Sequence, residues 1–234
     1  MRILTTICIL IWTLFFLLGT ATAETDKNLI KLPTPSFMGN MSVEEAIYKR
    51  KTVRSFGKKP LTLSQVSQLL WVANGTIPKD AVTGATSKVT PSAGGLYPLE
   101  VFLVVGKDGV KDVPAGVYQY IPRTNSMKLL VEGDKRNSVA KAALYQGFLA
   151  LAPVNVIVGA VFGRTTYKYG GRGHQYVFME AGSANQNVCL QAEALGLSVA
   201  TVGAFEEKPL SKALKLPDSV RPIVIMGIGH KATK

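Results

Sequence analysis

The chain has 234 residues, of which 47% are hydrophobic and 18% charged, and its net charge is +12. This balance is that of an ordinary globular protein of one domain, and it excludes a disordered or collagen-like chain. Two Cys and two His are too few for a Cys-rich zinc module or a disulfide framework, so we expect no metal site.

The first 23 residues are predicted to form a secretory signal peptide. An uncharged apolar run fills residues 3–18, and residues 21–23 provide an A-x-A cleavage pattern. An uncleaved membrane anchor through residues 3–23 is the alternative, because this stretch could nearly span a bilayer. We therefore expect an exported protein, either periplasmic or secreted.

After an extended lead-in at residues 24–40, we expect a single domain at 41–234, whose helices begin at recognisable caps. Capping boxes at 42–45 and 62–65 open the first two helices, and Asp134 is expected to cap the third. The longest helix follows a basic, Gly-rich segment. Helices are predicted at residues 42–50, 62–74, 134–144, 175–195 and 209–215.

Strands alternate with these helices along the whole domain, with no repeat and no linker. A loop rich in Gly, Thr, Ser and Pro occupies residues 75–95. The mixture of strands and helices in one continuous pattern predicts an α+β fold. The strands are predicted at residues 100–105, 116–121, 127–131, 154–161, 198–202 and 223–228.

A basic segment just after the first helix is a candidate phosphate site. Arg50, Lys51 and Arg54 lie on both sides of Thr52. Three cations and a hydroxyl within five residues can converge on a phosphate, to which arginine presents a bidentate fork. A solvated basic face is the alternative interpretation.

Two further segments allow close approach of a ligand. Pro91, Ser92, Ala93, Gly94 and Gly95 carry little side-chain bulk, so their backbone can lie against a flat ligand. A plain turn before a strand is the alternative.

The last of these segments follows the longest helix. Small residues at 181–184 permit close helix packing, and a strand ends at Val202, before Gly203 and Ala204. For the helix alone, a core helix is the alternative.

Other functions find little support. The chain has no nucleotide-binding phosphate loop, no dinucleotide fingerprint and no nucleophile elbow. Cys189 lies in mid-helix and is interpreted as a packing residue. Nothing resembles a basic stripe with interleaved aromatic residues, so we expect no nucleic-acid partner.

In this order and spacing, the three segments resemble the FMN-dependent nitroreductase family, and most closely its SagB-type dehydrogenase branch. The resemblance covers residues 42–230. It implies a nitroreductase-like fold, with a mostly antiparallel central sheet of four or five strands flanked by helices. It also implies an intertwined homodimer with FMN at the interface.

The resemblance assigns the FMN phosphate and ribityl chain to Arg50, Lys51, Thr52 and Arg54. It places residues 91–95 along the flavin ring. Residues 202–204 would flank the reactive edge. Family members usually add a basic residue after the last strand, for which His230, Lys231 and Lys234 remain open candidates.

The segment at 168–172 resembles the proton-handling Lys-Tyr pair of azoline-forming members of the branch. Lys168 and Tyr169 are therefore the catalytic candidates. A flexible basic loop over a pocket is the alternative. A lysine there would in any case stabilise negative charge on a reduced flavin.

The function expected is an exported FMN-dependent oxidoreductase that moves a hydride through flavin N5 to or from a small or peptide substrate. NAD(P)H is an open candidate donor. The alternatives are a dehydrogenase of peptide heterocycles and a non-catalytic flavin-binding protein or electron carrier. In the expected homodimer the longest helix packs on its own copy, so Ala184→Arg is predicted to separate the subunits and lower FMN content.

Overall fold

The computed structural model describes residues 28–77 and 87–232. The predicted signal peptide at 1–23 lies outside these residues, as does Lys234. Within the described part of the chain, no helix combines the length and apolarity needed to cross a bilayer.

A seven-stranded sheet forms the centre of the molecule, and each strand is antiparallel to its neighbours. The α+β expectation is confirmed, whereas the expected four or five strands were too few. The strands are β1 (Leu29–Lys31), β2 (Thr76–Ile77), β3 (Ser87–Lys88), β4 (Leu99–Val105), β5 (Gly116–Ile121), β6 (Ser126–Glu132), β7 (Val154–Ala160), β8 (Leu197–Val202) and β9 (Arg221–His230).

The sheet order is β1-β6-β5-β4-β7-β9-β8, and β2 pairs separately with β3. One edge of the sheet is therefore extended by a strand of the lead-in, β1, which pairs with β6.

The first two helices begin where the caps predict. Ser42 accepts a hydrogen bond from the Glu45 backbone, and the Thr62–Gln65 box is complete in both directions. Asp134 does not cap the third helix but lies just before its cap residue, where it accepts from the Arg136 backbone and guanidinium. The helices are α1 (Val43–Lys49), α2 (Leu63–Asn74), α3 (Arg136–Ala142), α4 (Phe148–Leu151), α5 (Gly163–Tyr169), α6 (Arg172–Ala194) and α7 (Glu207–Leu214).

The basic, Gly-rich segment before the longest helix is helical, which its composition did not predict. It forms α5, and α6 begins at Arg172 and runs for 23 residues. Gly170, with φ 53°, separates the two helices. A Cβ at Gly173 would lie 2.9 Å from the Thr166 backbone. Glycine at 173 therefore allows close packing of α6 on α5 rather than a flexible loop.

Apolar side chains cover both faces of the sheet. Along β4, Val101 and Leu103 belong to one buried cluster with α2 and α6. Phe102 and Val104 belong to a second cluster with α3 and α7. This alternation follows the two-residue period of a strand. Helices therefore flank the sheet on both sides.

The small residues Ala181 and Ala184 of α6 do not lie on an exposed face, where the expected packing on a second copy of the chain would need them. Ala181 and Ala184 are 1% and 0% exposed and pack in the chain's own core. The structural basis for the Ala184→Arg prediction was therefore wrong, because an arginine there would disrupt the subunit itself. The exposed face of α6 carries Phe178, Met179 and Gly182 instead.

Candidate functional site

The basic segment runs alongside β8. The Val53 backbone N–H donates to the Val199 carbonyl oxygen at 3.0 Å, and Thr52 forms a parallel bridge with Val199. Two segments that are about 150 residues apart in sequence are therefore adjacent. The structure thus brings the candidate phosphate site next to the strand that ends at Val202.

The cations of this segment are available to a ligand. Lys51 and Arg54 are exposed, and Arg50 is half-buried at the end of α1. Among the described residues, none of the three forms an ion pair with a carboxylate. The Arg54 guanidinium lies 5.7 Å from the centre of the Phe148 ring. A basic, hydroxyl-containing donor set of this kind fits a phosphate group.

The chain returns to this segment after its last strand. Gly57 donates its backbone N–H to the His230 carbonyl oxygen at 2.7 Å, and Phe56 forms an antiparallel bridge with Lys231. Burial and the positive charge of Lys59 lower the pKa of His230. Of the C-terminal candidates, His230 and Lys231 therefore lie beside the basic segment.

The end of β8 exposes backbone rather than side chain. Val202 is 4% exposed and packs in the core, so it could meet a ligand only through its backbone. Gly203 and Ala204 are exposed. The side-chain amide of Gln146 donates to the carbonyl oxygen of Ala204 at 3.3 Å. Sequence reasoning missed Gln146, because no local signal relates it to this segment.

The Gly-rich segment forms a tight, strained turn. Residues Ala93–Gly95 make one turn of 3₁₀ helix, in which Gly94 and Gly95 have φ of 62° and 65°. Tyr97 also has a positive φ, 46°, and donates its backbone N–H to the Ser92 hydroxyl at 2.9 Å. A positive φ is unstrained for glycine but costly for Tyr97, so surrounding contacts must hold the turn at that residue.

Lys168 and Tyr169 lie directly against this turn. A Cβ added to Gly94 would lie 2.7 Å from Tyr169 Oη and 3.1 Å from Lys168 Nζ. The Tyr169 ring packs edge-on against Tyr176, with the ring centres 5.1 Å apart. The pair stands at the end of a helix, so the alternative of a flexible loop was wrong. Both polar groups meet the backbone surface that was predicted to face a flat ligand.

A buried polar cluster lies next to the same turn. Glu180 on α6 is 4% exposed, and burial raises the pKa of its carboxyl to about 7, against the effects of the Ser92 hydroxyl and the Lys88 charge. Lys88 donates to Asn74 Oδ1 at 3.0 Å and lies 5.3 Å from the centre of the Tyr97 ring. Burial lowers the pKa of Lys88.

Sequence reasoning missed both Glu180 and Lys88, although one signal was available for the glutamate. Glu180 lies three residues after Val177 and four before Ala184, on the apolar stripe of the helix. A charged residue at such a core position needs a specific partner or function.

The candidate residues form two groups along α6. The turn, the Lys-Tyr pair and Glu180 make the first. The second contains the basic segment and β8, beside Asn185 and Cys189, because Thr201 bonds to Asn185 and contacts Cys189. Glu180 and Cys189 are separated by about 14 Å along the helix. Among the described residues, no cluster of His, Cys, Asp or Glu could hold a metal ion.

We expect Gly94→Ala to displace the Lys168–Tyr169 pair. The new Cβ would overlap Tyr169 Oη and would also strain the backbone at φ 62°, at a cost of roughly 1–2 kcal/mol from the backbone alone. Urea unfolding and turnover measure the two effects. Gly133→Ala is the matched control, because Gly133 also has a positive φ, 83°, but open space around its Cβ position. Equal losses of turnover in the two variants would contradict a specific clash.

The chain is similar to known proteins over most of its length. Residues 47–230 match the Nitroreductase family. A protein of Methanocaldococcus jannaschii with the provisional name nitroreductase MJ1384 is 39% identical over 206 residues, which are 88% of this chain and 98% of that protein. The microcin B17-processing protein McbC of Escherichia coli is 26% identical over 156 residues, 62% of this chain and 55% of that protein. A solved structure from Ralstonia eutropha, described as a nitroreductase by provisional assignment, has a TM-score of 0.75 and 26% identity, covering 90% of this chain and 92% of that one.

Proposed function

Because the chain belongs to the nitroreductase family and is therefore an oxidoreductase, we propose that it uses FMN bound between two copies of the chain. The contact of Lys168 and Tyr169 with the Gly94 turn carries this proposal. Two proton-bearing groups thus meet a backbone surface that carries little side-chain bulk. Such a surface suits a flat, redox-active ring.

The residues present fit FMN, and three segments of the chain would each bind a different part of it. Arg50, Lys51, Thr52 and Arg54 would hold the phosphate and ribityl chain, with Lys231 beside them. The backbone of residues 91–95 would lie along the ring, and residues 202–204 along its edge. When bound, FMN supplies two-electron hydride chemistry, while the protein binds, orients and protonates.

Lys168 and Tyr169 would handle the proton. Lys168 is exposed, and its Nζ atom lies 5.4 Å from the centre of the Tyr169 ring. The ammonium of Lys168 can donate a proton beside the turn, and the hydroxyl of Tyr169 can donate or accept one. The same positive charge would stabilise a negative charge that develops beside the turn.

Dehydrogenation of a peptide heterocycle is the second candidate function. The Lys-Tyr pair favours it, and so does the similarity to a protein named for the processing of microcin B17. Oxidation of a thiazoline peptide by the purified protein would support it, whereas turnover of nitroaromatic compounds with NAD(P)H alone would favour the reductase. A flavin-binding protein without turnover would show bound FMN but slow reduction by every donor. Because a signal peptide is predicted at residues 1–23, the proposal includes export of the protein.

The visible spectrum of the purified protein tests the cofactor directly. We expect absorption bands of bound flavin, and mass spectrometry of the released chromophore should identify FMN. Addition of FMN to any cofactor-free fraction should restore the bands and raise the melting temperature through binding to the folded state. Failure to bind added FMN would overturn the proposal.

We expect Met179→Arg to dissociate the proposed homodimer and to lower its FMN content. Phe178 and Met179 are 51% and 69% exposed on α6, and an arginine among paired apolar side chains would carry an unpaired charge into the interface. Sedimentation velocity with flavin quantified in each species measures both effects. Glu132→Arg is the control, because Glu132 is exposed and lies on β6, near the opposite edge of the sheet from β8. A monomer with full FMN content would contradict a site shared by two subunits.

A further inference from the structure

Glu180 is held in a position that its packing alone does not explain. It lies on the core face of α6, next to Ala181 and one turn from Ala184, and it is 4% exposed. Within the described part of the chain, its Oε1 atom is buried and has no hydrogen-bond partner. A buried carboxyl oxygen without a hydrogen-bond partner destabilises the folded state, so we expect Glu180 to have a role other than packing.

A chain of contacts joins this carboxyl to the strained turn. Tyr97 donates its backbone N–H to the Ser92 hydroxyl at 2.9 Å. The same hydroxyl lies close enough to the Glu180 carboxylate to lower the pKa of its carboxyl. Gly94 lies between Ser92 and Tyr97 and faces the Lys-Tyr pair. Ser92 therefore connects Glu180 on one side with the backbone that meets Lys168 and Tyr169 on the other.

Few charges compensate the carboxyl. Lys88 on β3 attracts it, but the ammonium of Lys88 is hydrogen-bonded to Asn74. Behind Lys88, Glu100 on β4 and Arg164 on α5 form an ion pair with a 2.7 Å distance between their N and O atoms. Burial accordingly raises the pKa of Glu180 to about 7. Among the described residues, further titratable groups at or next to the turn are Lys168 and Tyr169 on α5, Tyr97 in the turn, and Tyr176 on α6.

We propose that Glu180 is a positioning residue that acts through Ser92 to hold the turn against Lys168 and Tyr169. The inference rests on the proposed function only through the reaction step that Lys168 and Tyr169 would carry out. The coupling between Glu180 and Ser92 can be tested without FMN or substrate. Because the charge of Glu180 changes near neutral pH, the step that uses Lys168 and Tyr169 should carry an ionisation near pH 7.

Four variants test this role. Glu180→Gln keeps an acceptor for Ser92 and removes the ionisation, whereas Glu180→Leu removes the acceptor. We expect the Gln variant to keep its FMN and most of its turnover at pH 6 but to lose the ionisation near pH 7 from the pH profile. Glu180→Leu and Ser92→Ala should each lower turnover about tenfold, and the double variant should be no slower than the slower single variant.

Urea unfolding of the same four variants without FMN gives an independent readout. Coupling between positions 180 and 92 should make their effects on the unfolding midpoint less than additive. Glu193→Gln, on the same helix, is the control and should leave the midpoint and the pH profile unchanged. If Glu180→Leu does not fold, Glu180→Gln and Ser92→Ala carry the test.

The outcomes separate this inference from the proposed function. A wild-type pH profile in Glu180→Gln, or additive effects of the two positions, would overturn the positioning role. A protein that neither binds FMN nor turns over would overturn the proposed function, while the unfolding data would still decide whether Glu180 holds the turn.

Discussion

We expect that changing Arg50 and Arg54 together to alanine weakens the proposed FMN binding by about 10²–10⁴-fold, because each charge-assisted hydrogen bond contributes roughly 1.5–3 kcal/mol. The fold should survive, because neither arginine belongs to the apolar core and neither forms an ion pair with another described residue. Both lie on the segment that runs along β8, where Thr52 pairs with Val199. The loss should therefore appear in the cofactor content and not in the unfolding curve.

Flavin content of the purified variant and titration with added FMN measure this effect. Lys58→Ala combined with Lys59→Ala is the matched control, since it removes the same charge from two exposed residues of the same stretch. A general effect of net charge would weaken binding equally in both double variants. Full FMN occupancy in the arginine double variant would refute the assignment of the phosphate site.

Lys168→Met and Tyr169→Phe should each lower turnover by about 10²–10⁴-fold, the usual contribution of a positioned proton donor or acceptor. Neither change should remove the FMN, because its phosphate and ribityl chain are assigned to the basic segment and the backbone of the Gly94 turn stays in place. The double variant should be little slower than the slower single variant, because groups that act as a unit are not additive.

Rapid-mixing experiments that follow the flavin absorbance separate this effect from binding. Tyr167→Phe is the control for the tyrosine, since Tyr167 lies on the same helix and is 93% exposed. Wild-type rates in both Lys168→Met and Tyr169→Phe would show that the pair is a basic surface feature. In that case the similarity to azoline-forming members of the branch would not extend to mechanism.

The two groups of candidate residues explain why assembly and binding are expected to be linked. Within one chain the turn lies near Glu180 and the basic segment near Cys189. These two positions are separated by about 14 Å along α6. A second chain packed against the exposed face of α6 could bring its turn toward the first chain's basic segment. The site would then be complete only in the dimer, so FMN would stabilise the assembly.

Local rules were sufficient for much of the secondary structure. The caps at Ser42 and Thr62 begin α1 and α2 because each satisfies a free backbone N–H within three residues of itself. Strands β4 and β7 were predicted from runs of apolar residues, because a strand whose sheet is covered on both faces is apolar along its length. The order and spacing of residues 50–54, 91–95 and 202–204 were likewise enough to indicate the family, since these signals lie in the sequence itself.

Only the tertiary structure decided which surfaces meet. Glycine serves both flexible loops and close helix contacts, so composition could not show that Gly173 packs α6 on α5. Helical periodicity places Ala184 on one stripe, but only packing shows that this stripe faces the chain's own core. The contact of Lys168 and Tyr169 with Gly94, and the burial of Glu180 beside Ser92, join residues more than 70 positions apart. Such contacts depend on the whole sheet and its helices, because burial is a property of neighbouring surfaces and not of a residue's place in the sequence.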